Sequence, residues 1–133
     1  MNNKDIIFLN KKLEKVNILF KRKEFNLVIE KSKVLLRKYP NQAIIYNYIG
    51  LSYFQLVENN RALEIFLLAN QKFPSEPSIL CNTGIAYTNL GELISARKFF
   101  NKALNINPKH LPSHINLGHL ENNLNHSDLA VAH

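Results

Sequence analysis

Five histidines, His110, His114, His119, His126 and His133, fall within the last 24 residues of this 133-residue chain. Imidazoles so concentrated could hold a metal ion, and His110 and His114 have the four-residue spacing of two ligands on one helical turn. Pro112 stands between them, however, and no carboxylate accompanies them as a zinc protease motif requires. Cys81 is the only cysteine, which excludes a disulfide framework and a cysteine-based structural zinc site. As a nucleophile its thiol would need a base and a third group to orient that base, yet aspartate occurs only as Asp5 and Asp128. A packed, unreactive thiol is the simpler expectation, and a lone thiol suits a reducing, cytoplasmic setting. No glycine-rich phosphate loop and no pair of catalytic carboxylates is apparent, so neither catalysis nor a cofactor is expected within these residues.

Two other residue classes could make contacts of consequence. Asparagine and glutamine together number 22, with asparagine alone at 19. Carboxamides both donate and accept, so a row of them can pair with the backbone of an extended peptide. The charge is equally uneven. Residues 1–40 carry 11 Lys and Arg against 4 acids, whereas residues 41–133 carry 6 of each, so the formal net charge of +7 belongs to one end. Lys11, Lys15 and Arg22 share a helix side, but Glu14, Glu24 and Glu30 interrupt the basic run and no aromatic residues interleave to stack on bases. A solvated amino-terminal cap is the default reading, and nucleic-acid binding is the weaker alternative. The longest apolar run near the start, Ile6 to Leu9, is too short for a signal-peptide core, and no later run could span a bilayer.

The elements that must position these residues follow from a repeat. Pro40, Pro74 and Pro108 are 34 residues apart, and Gly50, Gly84 and Gly118 keep the same period. So do Ala62, Ala96 and Ala130, Tyr53 and Tyr87, Phe66 and Phe100, and Ala69 and Ala103. Within 43–57, Tyr46, Ile49, Gly50 and Tyr53 recur at the spacing of one helix face, and Ala62, Phe66, Ala69 and Phe73 do the same in 60–73. Small residues at 50 and 62 let two helices approach closely while Tyr53 and Phe66 fill the space around them. Proline then stops the second helix. Gly91 marks a turn inside the third unit, with Val57 and Asn125 at the same place in its neighbours.

A 34-residue period with these residue types resembles the tetratricopeptide repeat. The resemblance spans residues 9–133 and implies an all-α fold, a right-handed α-solenoid of antiparallel helix pairs. The units are 9–42, 43–76, 77–110 and 111–133, after a leader at 1–8. The first unit is degenerate, because Lys12, Val16 and Ser32 replace the Tyr or Leu, Gly and Phe of later units. The fourth stops within what should be its second helix. Asp128 to His133 do not form a polar cap, so the chain is expected either to be the amino-terminal piece of a longer protein or to self-associate through this end.

The resemblance further implies that partners bind along the concave surface formed by the first helices. Helical phase puts Ile44, Tyr48, Leu51 and Gln55 there, flanked by Asn47 and Phe54. The third unit contributes Ser78, Asn82, Ile85 and Asn89, and the fourth Asn116, His119 and Asn123. Five of the six positions in the columns Tyr48, Asn82, Asn116 and Gln55, Asn89, Asn123 are amides, against about one expected by chance from the composition. The column resembles the asparagine ladder of the O-linked N-acetylglucosamine transferases, with Tyr48 departing from it. An asparagine-rich polar face without ligand contacts accounts for it equally. Tyr48, Leu51 and Phe54, with Phe20, are expected to be buried between neighbouring first helices. His114 stands where Tyr46 and Leu80 stand and is read as a half-buried packing residue. The lysine, asparagine and arginine clamp by which some members hold acidic chaperone tails is matched only by Asn17, since Leu13, Tyr48, Ser78 and Asn82 occupy its other places. The sequence therefore predicts a protein or peptide partner in the groove. It leaves open whether the array acts alone or as the recruiting arm of a larger enzyme such as a glycosyltransferase.

Overall fold

The structure, a computed structural model, describes the backbone of residues 1–132 and the side chains of residues 1–124. Among the described residues it contains seven helices: α1 (Asn3–Lys21), α2 (Phe25–Lys38), α3 (Ala43–Gln55), α4 (Asn59–Lys72), α5 (Pro77–Asn89), α6 (Leu93–Ile106) and α7 (Leu111–Ala132). No strand occurs among the described residues, and no helix is long and apolar enough to cross a membrane. The chain divides into two compact units, Met1–Ile65 and Phe66–His133.

Three tight turns at the repeat spacing fold the helices back on one another. Lys23, Val57 and Gly91 have φ of 62°, 57° and 78°. After each, a glutamate N–H reaches back to the preceding helix: Glu24 to Leu19, Glu58 to Tyr53 and Glu92 to Tyr87, at 3.0, 2.9 and 2.9 Å. The positive-φ residue donates to Phe20, Phe54 and Thr88 respectively. This pair of bonds satisfies the last carbonyls of a helix and needs one residue in the left-handed region. The carbonyl of the same glutamate then accepts the first bond of the next helix, from Val28, Ala62 and Ala96.

In the first unit, α3 packs on the α1/α2 pair. Leu9, Val16, Val28, Ile29, Leu35, Tyr39, Ile45, Tyr46, Ile49 and Tyr53 are buried, and a fully buried side chain of this size stabilises by roughly 1.5–3 kcal/mol. Most of the residues set aside as a leader are helical, because α1 begins at Asn3 with the Asn2 side chain accepting the Asp5 N–H at 2.9 Å. In the second unit α5, α6 and α7 pack together, with Cys81, Ala96, Phe100 and Leu120 in one core cluster. Gly84 is required there: a Cβ on it would lie 2.6 Å from Phe100 Cε1.

The fourth unit departs from the repeat. Asn125, expected at a turn, lies inside α7, which runs unbroken to Ala132. A turn there would give up helical hydrogen bonds. Gly118, the counterpart of Gly84, has nothing within 4 Å of its Cβ position. His114 is exposed, correcting its reading as a half-buried packing residue, because no helix among the described residues covers that side of α7. The side chains of His126, Ala130 and His133, and the expected lack of a polar cap at Asp128–His133, lie outside the described residues.

Candidate functional site

The first-helix face of the compact unit Phe66–His133 carries four of the carboxamides singled out by the sequence. Asn82 and Asn89 lie seven residues apart on α5, and Asn116 and Asn123 lie seven apart on α7. Seven residues is two helical turns, so each pair shares a face, and α5 and α7 are in direct contact. Asn82 and Asn116 are half-buried, whereas Asn89, His119 and Asn123 are exposed. Asn116 Nδ2 donates to the Pro112 carbonyl one turn earlier at 2.7 Å. That bond orients the amide, leaving its oxygen and second N–H for other contacts.

Residues that the sequence reading passed over hold this face in place. Arg97 of α6 grips Glu121 of α7, with Nη2 donating to Oε2 at 3.0 Å and Nε 2.7 Å from Oε1. The pair is about 43–44% exposed, so it contributes on the order of 0.5–1 kcal/mol and mainly fixes register. Beneath α5, Thr83 Oγ1 donates to the Ile79 carbonyl at 2.8 Å and accepts from Asn70 Nδ2 at 2.6 Å. Neither pair follows from the 34-residue columns, since each joins unlike positions of different helices.

In the first unit, Tyr48 is drawn toward α1. Its ring meets Phe20 edge-on at 5.9 Å, and its hydroxyl donates to Asn17 Oδ1 at 3.2 Å. Burial raises the Tyr48 pKa, so the phenol keeps this proton at neutral pH. Phe20 and Tyr48 thus pack between first helices, but they, Leu51 and Phe54 are half-buried rather than buried as expected. Asn47 and Leu51 are half-buried and Gln55 is exposed.

The chemistry considered first does not assemble among the described residues. No group of three or more His, Cys, Asp or Glu side chains that could hold a metal ion occurs there. His114 Nε2 lies 2.6 Å from the Pro108 carbonyl, and His110 Nδ1 is 2.7 Å from Ser113 Oγ. Cys81 is only 2% exposed; burial pushes its pKa up, with a hydrogen bond from Ser113 acting in the opposite direction. A thiol held protonated and covered is a poor nucleophile.

Comparison with known proteins places this geometry. Residues 77–110 match the tetratricopeptide-repeat family model. The chain is similar to the anaphase-promoting complex subunit CDC16 of Saccharomyces cerevisiae, at 28% identity over 102 residues covering 71% of this chain, and it spans 12% of that protein's length. Its fold is similar to the TPR domain of Sgt2 from Aspergillus fumigatus, with a TM-score of 0.83, 16% identity and coverage of 90% of this chain and 80% of that one. It is also similar to the second TPR domain of human RPAP3, solved in complex with the HSP70 peptide SGPTIEEVD, with a TM-score of 0.76, 19% identity and coverage of 83% and 92%. Residues 77–110 are thus a tetratricopeptide repeat by their match to the family model, and the chain has the all-α fold of TPR domains.

Proposed function

We propose that this protein is a non-catalytic interaction module that holds an extended polypeptide segment on the α5/α7 face of its second unit. One observation carries the reading: Asn82 and Asn89 on α5, and Asn116 and Asn123 on α7, stand at matching registers of two helices in contact. Their carboxamides would bond the partner's backbone, with His119 beside them, so that recognition depends little on the partner's side chains. Asn47, Tyr48, Leu51 and Gln55 occupy the corresponding face of the first unit, where Tyr48 is already tied to Asn17. The RPAP3 domain, solved with a chaperone peptide, supports peptide binding as a use of this fold. Because Leu13, Tyr48, Ser78 and Asn82 replace the clamp for acidic chaperone tails, a different segment is proposed for this chain.

Binding to a peptide array tests the reading. The Asn82→Ala, Asn89→Ala, Asn116→Ala triple variant is expected to lose affinity by about tenfold or more, at roughly 0.5–1.5 kcal/mol per hydrogen bond. Unchanged binding would remove the proposed site. Peptides ending in EEVD are expected to bind no better than unrelated acidic peptides.

A second reading, a recruiting arm within a larger protein, is favoured by the yeast relative, of which this chain spans 12%. Sequencing the transcript past the codon for His133 decides it, since an immediate stop codon excludes the arm.

A further inference from the structure

A pair of packed helices has two broad faces, and in the first unit α3 covers one of them. Asn17 and Phe20 of α1 meet Tyr48, and Lys33 of α2 lies over the Tyr53 ring at 5.7 Å, so these residues mark the covered face. The other face carries a cleft of about 600 Å³ along α1 and α2. Its floor is apolar, with Phe8, Ile18 and Val34 exposed to 41%, 48% and 57% beside the half-buried Leu19. Its rim is basic: Lys12, Lys15, Arg22, Lys31 and Lys38 against the single acid Glu30, a balance of five minus one, or +4.

Lys38 and Lys12 lie over the Phe8 ring at 4.4 and 5.3 Å. Lys15, Arg22 and Lys31 form no ion pair among the described residues. Exposed aliphatic side chains ringed by uncompensated cations favour an occupant that is apolar on one side and acidic on its flanks. On α1 the lining runs from Phe8 to Arg22, which at 1.5 Å per residue is about 21 Å, or four helical turns.

We propose that the α1/α2 face turned away from α3 is a docking groove for an acidic amphipathic helix of about four turns. The apolar stripe of the partner lies on Phe8, Leu19 and Val34, and its flanking carboxylates face Lys15, Arg22 and Lys31. Two copies of this face would repel, which argues against self-pairing through it. Nucleic acid would meet the cations without using the aliphatic floor, and the one aromatic ring in the lining, Phe8, is covered by lysines. The proposal is independent of the amide face of the second unit.

The test uses the full chain and a fluorescein-labelled 18-residue helical peptide, with leucines at i, i+3, i+4 and i+7 spacing, glutamates on both flanks and alanines behind. Fluorescence anisotropy is expected to show binding about tenfold or more tighter than to the same peptide with lysine for glutamate. Affinity should also fall as salt rises from about 50 to 300 mM. Lys15→Glu with Arg22→Glu should weaken binding by about tenfold or more, since two attractions become repulsions. Val34→Asp, at an exposed position, should weaken it comparably by charging the floor. Circular dichroism checks that both variants remain folded. Asn82→Ala with Asn116→Ala should leave this binding unchanged while affecting the other site. Equal affinity for the two peptides, insensitivity to the double charge reversal, or loss of binding in the asparagine variant would each overturn the proposal. So would failure of the acidic peptide where phosphatidylserine vesicles or duplex DNA bind the same cations.

Discussion

Where α5 crosses α6, Gly84 lies against Phe100; two repeat lengths earlier, at the equivalent places in α1 and α2, stand Val16 and Ser32. All four are buried, so the two helix pairs put different side chains at equivalent core positions. Interiors must be close-packed, but which helix supplies the volume is free. The difference leaves a trace in the first unit, because the Ser32 hydroxyl is buried without a hydrogen-bond partner. The repeat unit 9–42, degenerate by its residue types, is nonetheless a helix pair with a buried core. It differs in surface too, with a basic rim where residues 41–133 are neutral by count and rich in amides. One architecture thus presents two chemically distinct surfaces.

The sharpest way to break the comparison is Gly84→Ala. Its Cβ would meet an aromatic ring at 2.6 Å, so urea denaturation is expected to show a loss of about 2–3 kcal/mol, partly recovered by adding Phe100→Leu. A loss below about 0.5 kcal/mol would mean that the ring yields freely and that the crossing does not depend on glycine. The same substitution at Gly118, where the Cβ meets nothing, should have the opposite sign and stabilise by about 1 kcal/mol through helix propensity. At the turns, Val57 is a β-branched residue at φ 57° and is 77% exposed. Val57→Gly should relieve backbone strain and raise stability by about 1 kcal/mol, less whatever the freer unfolded chain takes back. Gly91→Val, at φ 78°, should cost at least that much. The smallest effect is expected from Ser32→Ala, which removes the unpartnered hydroxyl and should stabilise by about 0.5–1 kcal/mol in the same denaturation experiment.

Much of this was legible from spacing. The columns at Tyr46, Ile49, Gly50 and Tyr53, and at Ala62, Phe66 and Ala69, are buried as their helical phase requires. The turn at Gly91 and its counterpart at Val57 fall where the period puts them, both at positive φ. The turn at Lys23 was not legible, because lysine carries no left-handed preference. Its conformation follows from two hydrogen bonds that close the end of α1. Asn125 and His114 show the converse. Each occupies a repeat position, but a position acts as a turn or a core site only when another helix packs there.

By itself the sequence determined the helical class, the 34-residue register, the small residues that allow close crossing and the concentration of charge in the first forty residues. These are properties of spacing and composition, and local sterics and helical phase suffice to read them. Tertiary structure alone decided that Gly84 is required and Gly118 is not, that Tyr48 is bonded to Asn17, and that the basic residues ring an apolar floor. Each depends on which side chains meet across different helices, a relation that a one-dimensional period does not contain.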